Sequence, residues 1–320
     1  MGWWVVSTDT LAGSRFVVSA LAETTSSLKT LHRATAAHPA DRAWLDAHLP
    51  AYRARLADDP VAAALVDVGL GGSWNADFLT PTPMGEAPFA DELVAVRTAE
   101  PDAARADLRV SLGGAALPSI LDRADLPERA ADLLAWVWSE TVLPTWPRRR
   151  RILEADIVAR TRQLSQGGWV SVLNDLRPRM RWLGDSALQI NANDYPPRSL
   201  EGAQLFFVPV TPGAAWVTWS RTDRYAIVYP CSGVLAESVR VVPDALSRLL
   251  GAGRATVLVL LGSPKTTTQL VALTGQPLGS IGRHLKILLD AQLIRRRRAG
   301  RTVLYYRSTA GDSLVDAQGN

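Results

Sequence analysis

Near the C-terminal end, Leu278, Ile281, Leu285 and Leu288 stand three, four and three residues apart, which predicts a helix with these four on its inward stripe. Gly279, Ser280, Gly282, Arg283 and Lys286 then face outward. A shorter helix is predicted just before it. Thr266 and Gln269 have the spacing of a capping box, in which each side chain satisfies a backbone donor left open at a helix start. Leu270 and Leu273 would point inward, and Gly275 suits the left-handed backbone that ends a helix. Two helices joined by so short a glycine turn predict a helix-turn-helix, whose second helix fits a major groove. Leu293 to Arg298 and Arg301 to Arg307 read as two strands around Ala299-Gly300, a hairpin wing.

Upstream the pattern is mixed. Short strands are predicted near Trp4 to Val6 and Arg15 to Val18, helices over Glu23 to His32 and Arg42 to Arg55, and a Pro-rich loop or linker over Thr80 to Pro88. From Leu126 the periodicity is helical, through Ala130 to Val142 and Arg149 to Gln166. It then alternates over Leu188 to Asn191, Leu205 to Val210, Ala215 to Trp219 and Tyr225 to Tyr229, read as antiparallel strands. Pro243-Asp244 opens the first helix of the last domain. The expected fold class is α+β and multidomain, with mixed N-terminal and central α/β regions followed by a C-terminal winged helix-turn-helix. The expected domains are residues 1–120, a helical plus antiparallel-sheet domain over 121–242 for an effector or for dimerisation, the winged domain over 243–310, and a tail over 311–320.

Charge sharpens this picture. From Ala245 to Asn320 there are 11 Lys+Arg and 3 Asp+Glu, a net +8, so the preceding residues carry 24 minus 28, or −4, within the overall +4. A basic end on a chain that is otherwise slightly acidic suits a polyanion at one end only. Arginines in the hairpin suit phosphate oxygens, which they bind through paired hydrogen bonds. The outward residues of the second helix, with Arg283 first for paired bonds to guanine and Ser280 and Lys286 beside it, suit base edges. Gly279 and Gly282 offer no side chain to a base and each costs about 1 kcal/mol of helix propensity against alanine. The candidate DNA contacts are Thr267, Gly279, Ser280, Gly282, Arg283, Lys286, Arg295, Arg296, Arg297, Arg298, Arg301 and Thr302. A second basic run, Arg148 to Arg151, would pair with acidic residues, stay solvated or touch flanking DNA.

Arg254 to Arg307, and above all Gly279-Ser280-Ile281-Gly282-Arg283-His284-Leu285-Lys286 and Gly300 to Tyr306, resembles the winged helix of the ArsR/SmtB family of bacterial transcription factors. The likeness covers about a fifth of the chain. Trp4 to Ser7 and Leu11 to Ser19 resemble the N-terminal part of a larger actinobacterial subset of these regulators, with Ala20 where proline is expected. The resemblance implies a dimer on an inverted-repeat operator, and a repressor is expected, because a protein seated on a promoter blocks polymerase without needing further contacts. Many members sense metals through Cys-x-Cys at the start of the first helix of the pair, and Thr266 and Thr268 stand there. Ser308 to Asn320 holds Asp312 and Asp316 but no histidine. Zinc favours clustered thiolate and imidazole, so no metal is expected, and His284 reads as a packing or phosphate-contacting residue. No cofactor is expected.

The remaining features limit the other classes. One cysteine, Cys231, excludes an internal disulfide, and no export signal or membrane-length apolar run appears, so a cytoplasmic protein is expected. Gly69 to Ser73 lacks the lysine and spacing of a nucleotide loop and reads as a turn. His32, His38 and His48 have no nucleophile beside them, so no enzyme is expected. All 11 tryptophans precede residue 220, and Trp136/Trp138 and Trp216/Trp219 are the pairs to examine for an effector pocket where helices meet sheet. Two alternatives remain open: an enzyme or sensor tethered to DNA, and a nucleoid-type binder.

Overall fold

The structure is a computed structural model that describes residues 2–36, 39–71, 74–191, 196–211, 213–220, 223–231, 242–262, 264–299 and 302–317. Helices and small sheets share the chain, and its contacts divide into two compact units: Met1–Trp146 with Ile157–Cys231, and Pro147–Asp156 with Ser232–Asn320. The expected boundary near residue 120 lies inside the first unit.

The first unit is organised around the helix Ala20–Arg33. Ser19 caps it by accepting from the Ala22 amide at 2.9 Å, and every residue from Ala20 to Leu31 is buried. The helices Pro39–Ala57, Phe89–Arg97 and Leu126–Val137 pack against it, closing a core that includes Leu28, Leu31, Leu65, Leu108 and Leu134. So many buried polar residues in one helix need internal partners. Thr24 and Thr30 donate to the Ala20 and Ser26 carbonyls at 2.8 and 3.0 Å, and the Glu23 carboxylate accepts from the Thr211 amide at 2.8 Å and from its hydroxyl.

Eight strands follow in chain order: β1 Trp3–Val5, β2 Arg15–Phe16, β3 Arg181–Gly184, β4 Ala187–Gln189, β5 Arg198–Ser199, β6 Gln204–Val210, β7 Trp216–Ser220 and β8 Arg224–Pro230. They form two four-stranded sheets, ordered β3-β4-β1-β5 and β2-β6-β8-β7. The antiparallel expectation needs correction. β6 and β8 run parallel, with Phe207 opposite Ile227, and only β7 lies antiparallel to β8. The physical sign is that Leu205 to Val210 are all buried: a strand covered on both faces is a continuous apolar run, as in parallel sheets, and not an alternation. β7 lies at the sheet edge beyond β8, so β6 and β8 can pair in the same direction.

Two further expectations change. Thr80 to Pro88 is a loop but not a linker: Thr80 and Thr82 are buried, and the Thr218 hydroxyl donates to the Thr80 carbonyl at 2.5 Å within the first unit. The helix expected to end near Gln166 runs over Trp146–Leu176, with a kink at Gly168, whose φ is 66°. Among the described residues no helix is long and apolar enough to cross a membrane.

Candidate nucleic-acid interface

The second unit begins with the helices Asp244–Leu250 and Ala252–Leu260, separated at Gly251, where φ is 83°. The helix Thr267–Thr274 starts on a complete capping box: the Thr266 amide donates to Gln269 Oε1 at 2.8 Å and the Gln269 amide to Thr266 Oγ1 at 3.2 Å. It ends at Gly275, in left-handed backbone with φ 70°, a conformation that a residue with a Cβ adopts only at a cost. The helix Leu278–Asp290 follows directly. Its residues Ile281, Leu285 and Leu288 are buried with Leu246, Leu258 and Leu270.

Leu278 departs from the expected stripe, with 62% of its surface exposed. A helical side chain covers the turn N-terminal to its own Cα, and at the first position, after Pro277, that ground lies beyond the core. Gly253 explains how closely the helices approach: a Cβ there would lie 2.6 Å from His284 Nε2. That nitrogen also lies 3.1 Å from Gln276 Oε1, so His284 packs and hydrogen-bonds inside the unit. Burial first, then Arg254 and Arg283, hold its pKa below the ordinary value.

The hairpin pairs β9, Ile294–Ala299, with β10, Thr302–Arg307, in antiparallel register. Lys265 extends it as a bridge on the far side of β10, its amide and carbonyl exchanging hydrogen bonds of 2.9 Å with Tyr305. This bridge ties the start of the helix Thr267–Thr274 to the hairpin.

The expected contact residues are distributed as follows. Gly279, Gly282, Arg283 and Lys286 are exposed along one side of the helix Leu278–Asp290, and Arg295 to Arg298 are exposed on β9. Ser280 is half-buried, its hydroxyl 3.2 Å from Gln276 Oε1, and Thr267 is half-buried at the first turn of its helix. Thr302 pairs through its backbone with Ala299. The side chain of Thr302, and Arg301 altogether, lie outside the described residues. A concavity of about 560 Å³ brings Thr267, Gly282, Lys286 and Arg296 together, with Tyr305 and one carboxylate, Asp290, also on its wall.

Sequence reasoning left the place of Arg151 open. Residues Pro147–Asp156 belong to this unit, and the Arg151 guanidinium lies against the turn, its Cζ 3.5 Å from where a Cβ on Gly275 would be. Arg150 pairs with Glu154 one helical turn on, at 2.8 Å. Burial, then Arg149 and Arg151, lower the pKa of Arg148. Only the spacing of this run from the helix pair in sequence, more than a hundred residues, hid the contact.

The features weighed for other chemistry are scattered. His32 lies 3.7 Å from an Asp67 carboxylate oxygen, and the His48 ring is 5.3 Å from that of Trp44. His38 lies outside the described residues. Cys231 is buried. Gly69 closes the helix Pro60–Leu70 and Gly71 caps it, while Gly72 and Ser73 lie outside the described residues. Among the described residues no three His, Cys, Asp or Glu side chains gather as a metal set. Trp136 packs on the helical core and Trp138 stacks on Phe89 at 4.5 Å, whereas Trp216 and Trp219 line a cavity.

No protein-family model, curated protein or solved structure matches the chain.

Proposed function

We propose that the second unit is a winged helix-turn-helix that binds double-stranded DNA, and that the protein is a sequence-specific transcription regulator of the ArsR/SmtB type. The observation that carries this reading is the shared concavity in which Thr267, Gly282, Lys286 and Arg296 meet: two helices and a hairpin contribute to one basic surface, as a groove-reading helix and its flanking wing would. In this reading the helix Leu278–Asp290 enters the major groove with Arg283 on guanine, and the arginines of β9 take phosphate oxygens. Arg151, set against the turn, adds a further phosphate contact. The regulator acts in the cytoplasm as a twofold dimer on an inverted repeat, because two equal readers demand two equal half-sites. It represses by occupying the promoter, carries no metal and performs no catalytic step.

Mapping the sites occupied in the native genome, followed by anisotropy titration of a recovered fragment, tests the reading. Tight binding with a steep fall as salt rises is expected, since each neutralised phosphate releases counterions. Arg283→Ala is expected to lower specific affinity by about 1–3 kcal/mol and to relax preference at one base pair. A purified protein that leaves every duplex unbound at low ionic strength would overturn it.

A further inference from the structure

The first unit contains a cavity of about 580 Å³, inside the range of roughly 300–1,000 Å³ usual for small-molecule sites. The walls come from distant parts of the chain: β1, the end of the helix Ala20–Arg33, residues 74–77, the residues after Leu176, and strands β5 and β7. Three observations on these walls converge.

The first is charge. Among the described residues, Lys29, Arg33, Arg177, Arg179 and Arg198 line the cavity with one carboxylate, Asp77. Lys29 is 3% exposed, and its Nζ donates to the neutral side chain of Asn75. A buried ammonium whose hydrogen bond goes to a neutral amide is costly. Burial, then Arg33, accordingly push the Lys29 pKa down to about 7. Asp77 gives little compensation, since its own pKa is pushed up to about 7 by burial first and then by Asp107.

The second is unmet hydrogen-bonding capacity. Arg177 Nη1 and Trp216 Nε1 are buried donors with no acceptor among the described residues. Native proteins leave few such donors, and each calls for an explanation. Both belong to residues that line this cavity. Desolvation holds the Arg177 pKa down to about 10.

The third is a set of flat apolar surfaces. The Trp74 and Trp219 rings meet edge to face at 5.2 Å. Arg198 Cζ lies 4.1 Å above the Trp219 ring and Lys29 Nζ 5.8 Å from the Trp216 centroid. Cations held over indole rings around an open space form a recess in which a flat ring can stack while its anionic substituent meets guanidinium and ammonium.

We propose that this cavity is a binding site for a small planar aromatic anion, whose ring lies among Trp74, Trp216 and Trp219 and whose anionic group is taken by Arg177 and Lys29. Carboxylate, sulfonate and phosphate share the required chemistry. The inference is independent of the DNA reading, because it concerns the free protein and is measured without a duplex.

The probe is anilinonaphthalene sulfonate, titrated into the full-length protein and followed by its fluorescence and by quenching of tryptophan. Saturable binding at one site is expected. Salicylate and phenyl phosphate should displace the probe, and whichever competes better identifies the anionic group, while salicylamide and phenol should not. Arg177→Met and Lys29→Met should each weaken binding about tenfold or more, the size of a lost charge-assisted hydrogen bond, with melting checked in parallel. Should either variant fail to fold, Arg198→Gln, at an exposed position, takes its place: it removes the cation held over the Trp219 ring in the same recess and should also weaken binding. Non-saturable binding, equal competition by the neutral rings, or undiminished affinity in well-folded variants would each overturn the proposal.

Discussion

Arg296 of β9 stands directly opposite Tyr305 of β10, and both line the concavity beside the helix Leu278–Asp290. Because strand side chains alternate between faces, Arg296 and Arg298 share a face with the buried Ile294. Arg295 and Arg297 share the other with their partners Tyr306 and Leu304. The arginine run is thus divided two and two. Only Arg296 and Arg298 stand on the face that continues the concavity.

On the proposed DNA-binding reading, the two faces should differ in their contribution to affinity. Arg296→Ala is expected to weaken duplex binding more than Arg297→Ala and to reduce the salt slope by about one, as the loss of one phosphate contact does. Anisotropy titrations over a salt series measure both quantities. Equal losses at the two positions would mean that the hairpin acts as a diffuse cationic patch.

Gly279 and Gly282 supply a second prediction. A Cβ at either position would meet nothing within 4 Å, so the fold itself has no use for glycine there, and each costs helix stability. Gly279→Ala and Gly282→Ala should each stabilise the second unit by roughly 1 kcal/mol; on the proposed reading, in which a duplex approaches the helix backbone across this smooth face, each should also weaken DNA binding. Chemical denaturation and the same anisotropy assay separate the two effects. Gains in stability with unchanged affinity would show that the bare face serves no ligand.

Gly253 makes the opposite case. With His284 Nε2 only 2.6 Å from its would-be Cβ, Gly253→Ala must displace the imidazole and disturb its contact with Gln276. The expected loss is about 1–3 kcal/mol, typical of overpacking, read as a lower denaturation midpoint. A midpoint at or above that of the parent would show that the helices part without cost.

Local rules make the helix pair legible in the sequence. The capping box at Thr266 and Gln269, the left-handed Gly275 and the stripe Ile281, Leu285 and Leu288 all depend on residues within a few positions of one another, and these match their expected places. What escaped depends on distance along the chain. The exposure of Leu278 follows from where the core ends, and the parallel pairing of β6 with β8 follows from β7 lying outside them. Arg151 reaches Gly275 from another part of the sequence. The cavity was legible only as the pair Trp216/Trp219, since Lys29, Asn75 and Arg177 come from segments with no common motif, and no periodicity records which of them meet.

The cavity also gives the first unit an unusual dependence on pH. Asp77 has its pKa raised from 3.8 to about 7, so the folded state holds its proton more tightly than the unfolded chain does. The associated stability is full below 3.8 and is lost as pH rises through about 7. Lys29 has its pKa lowered from 10.5 to about 7, so its stability is full above 10.5 and is lost as pH falls through about 7. Both losses are therefore present together near neutrality, each on the order of a few kcal/mol. Asp77→Asn should raise the melting temperature near pH 7 relative to the parent, with the gain fading towards acid. Lys29→Met should behave as its mirror image, the gain fading towards alkali. Melting curves of the parent and both variants across this range test the assignment. Parallel pH profiles for all three proteins would show that neither group titrates with the fold.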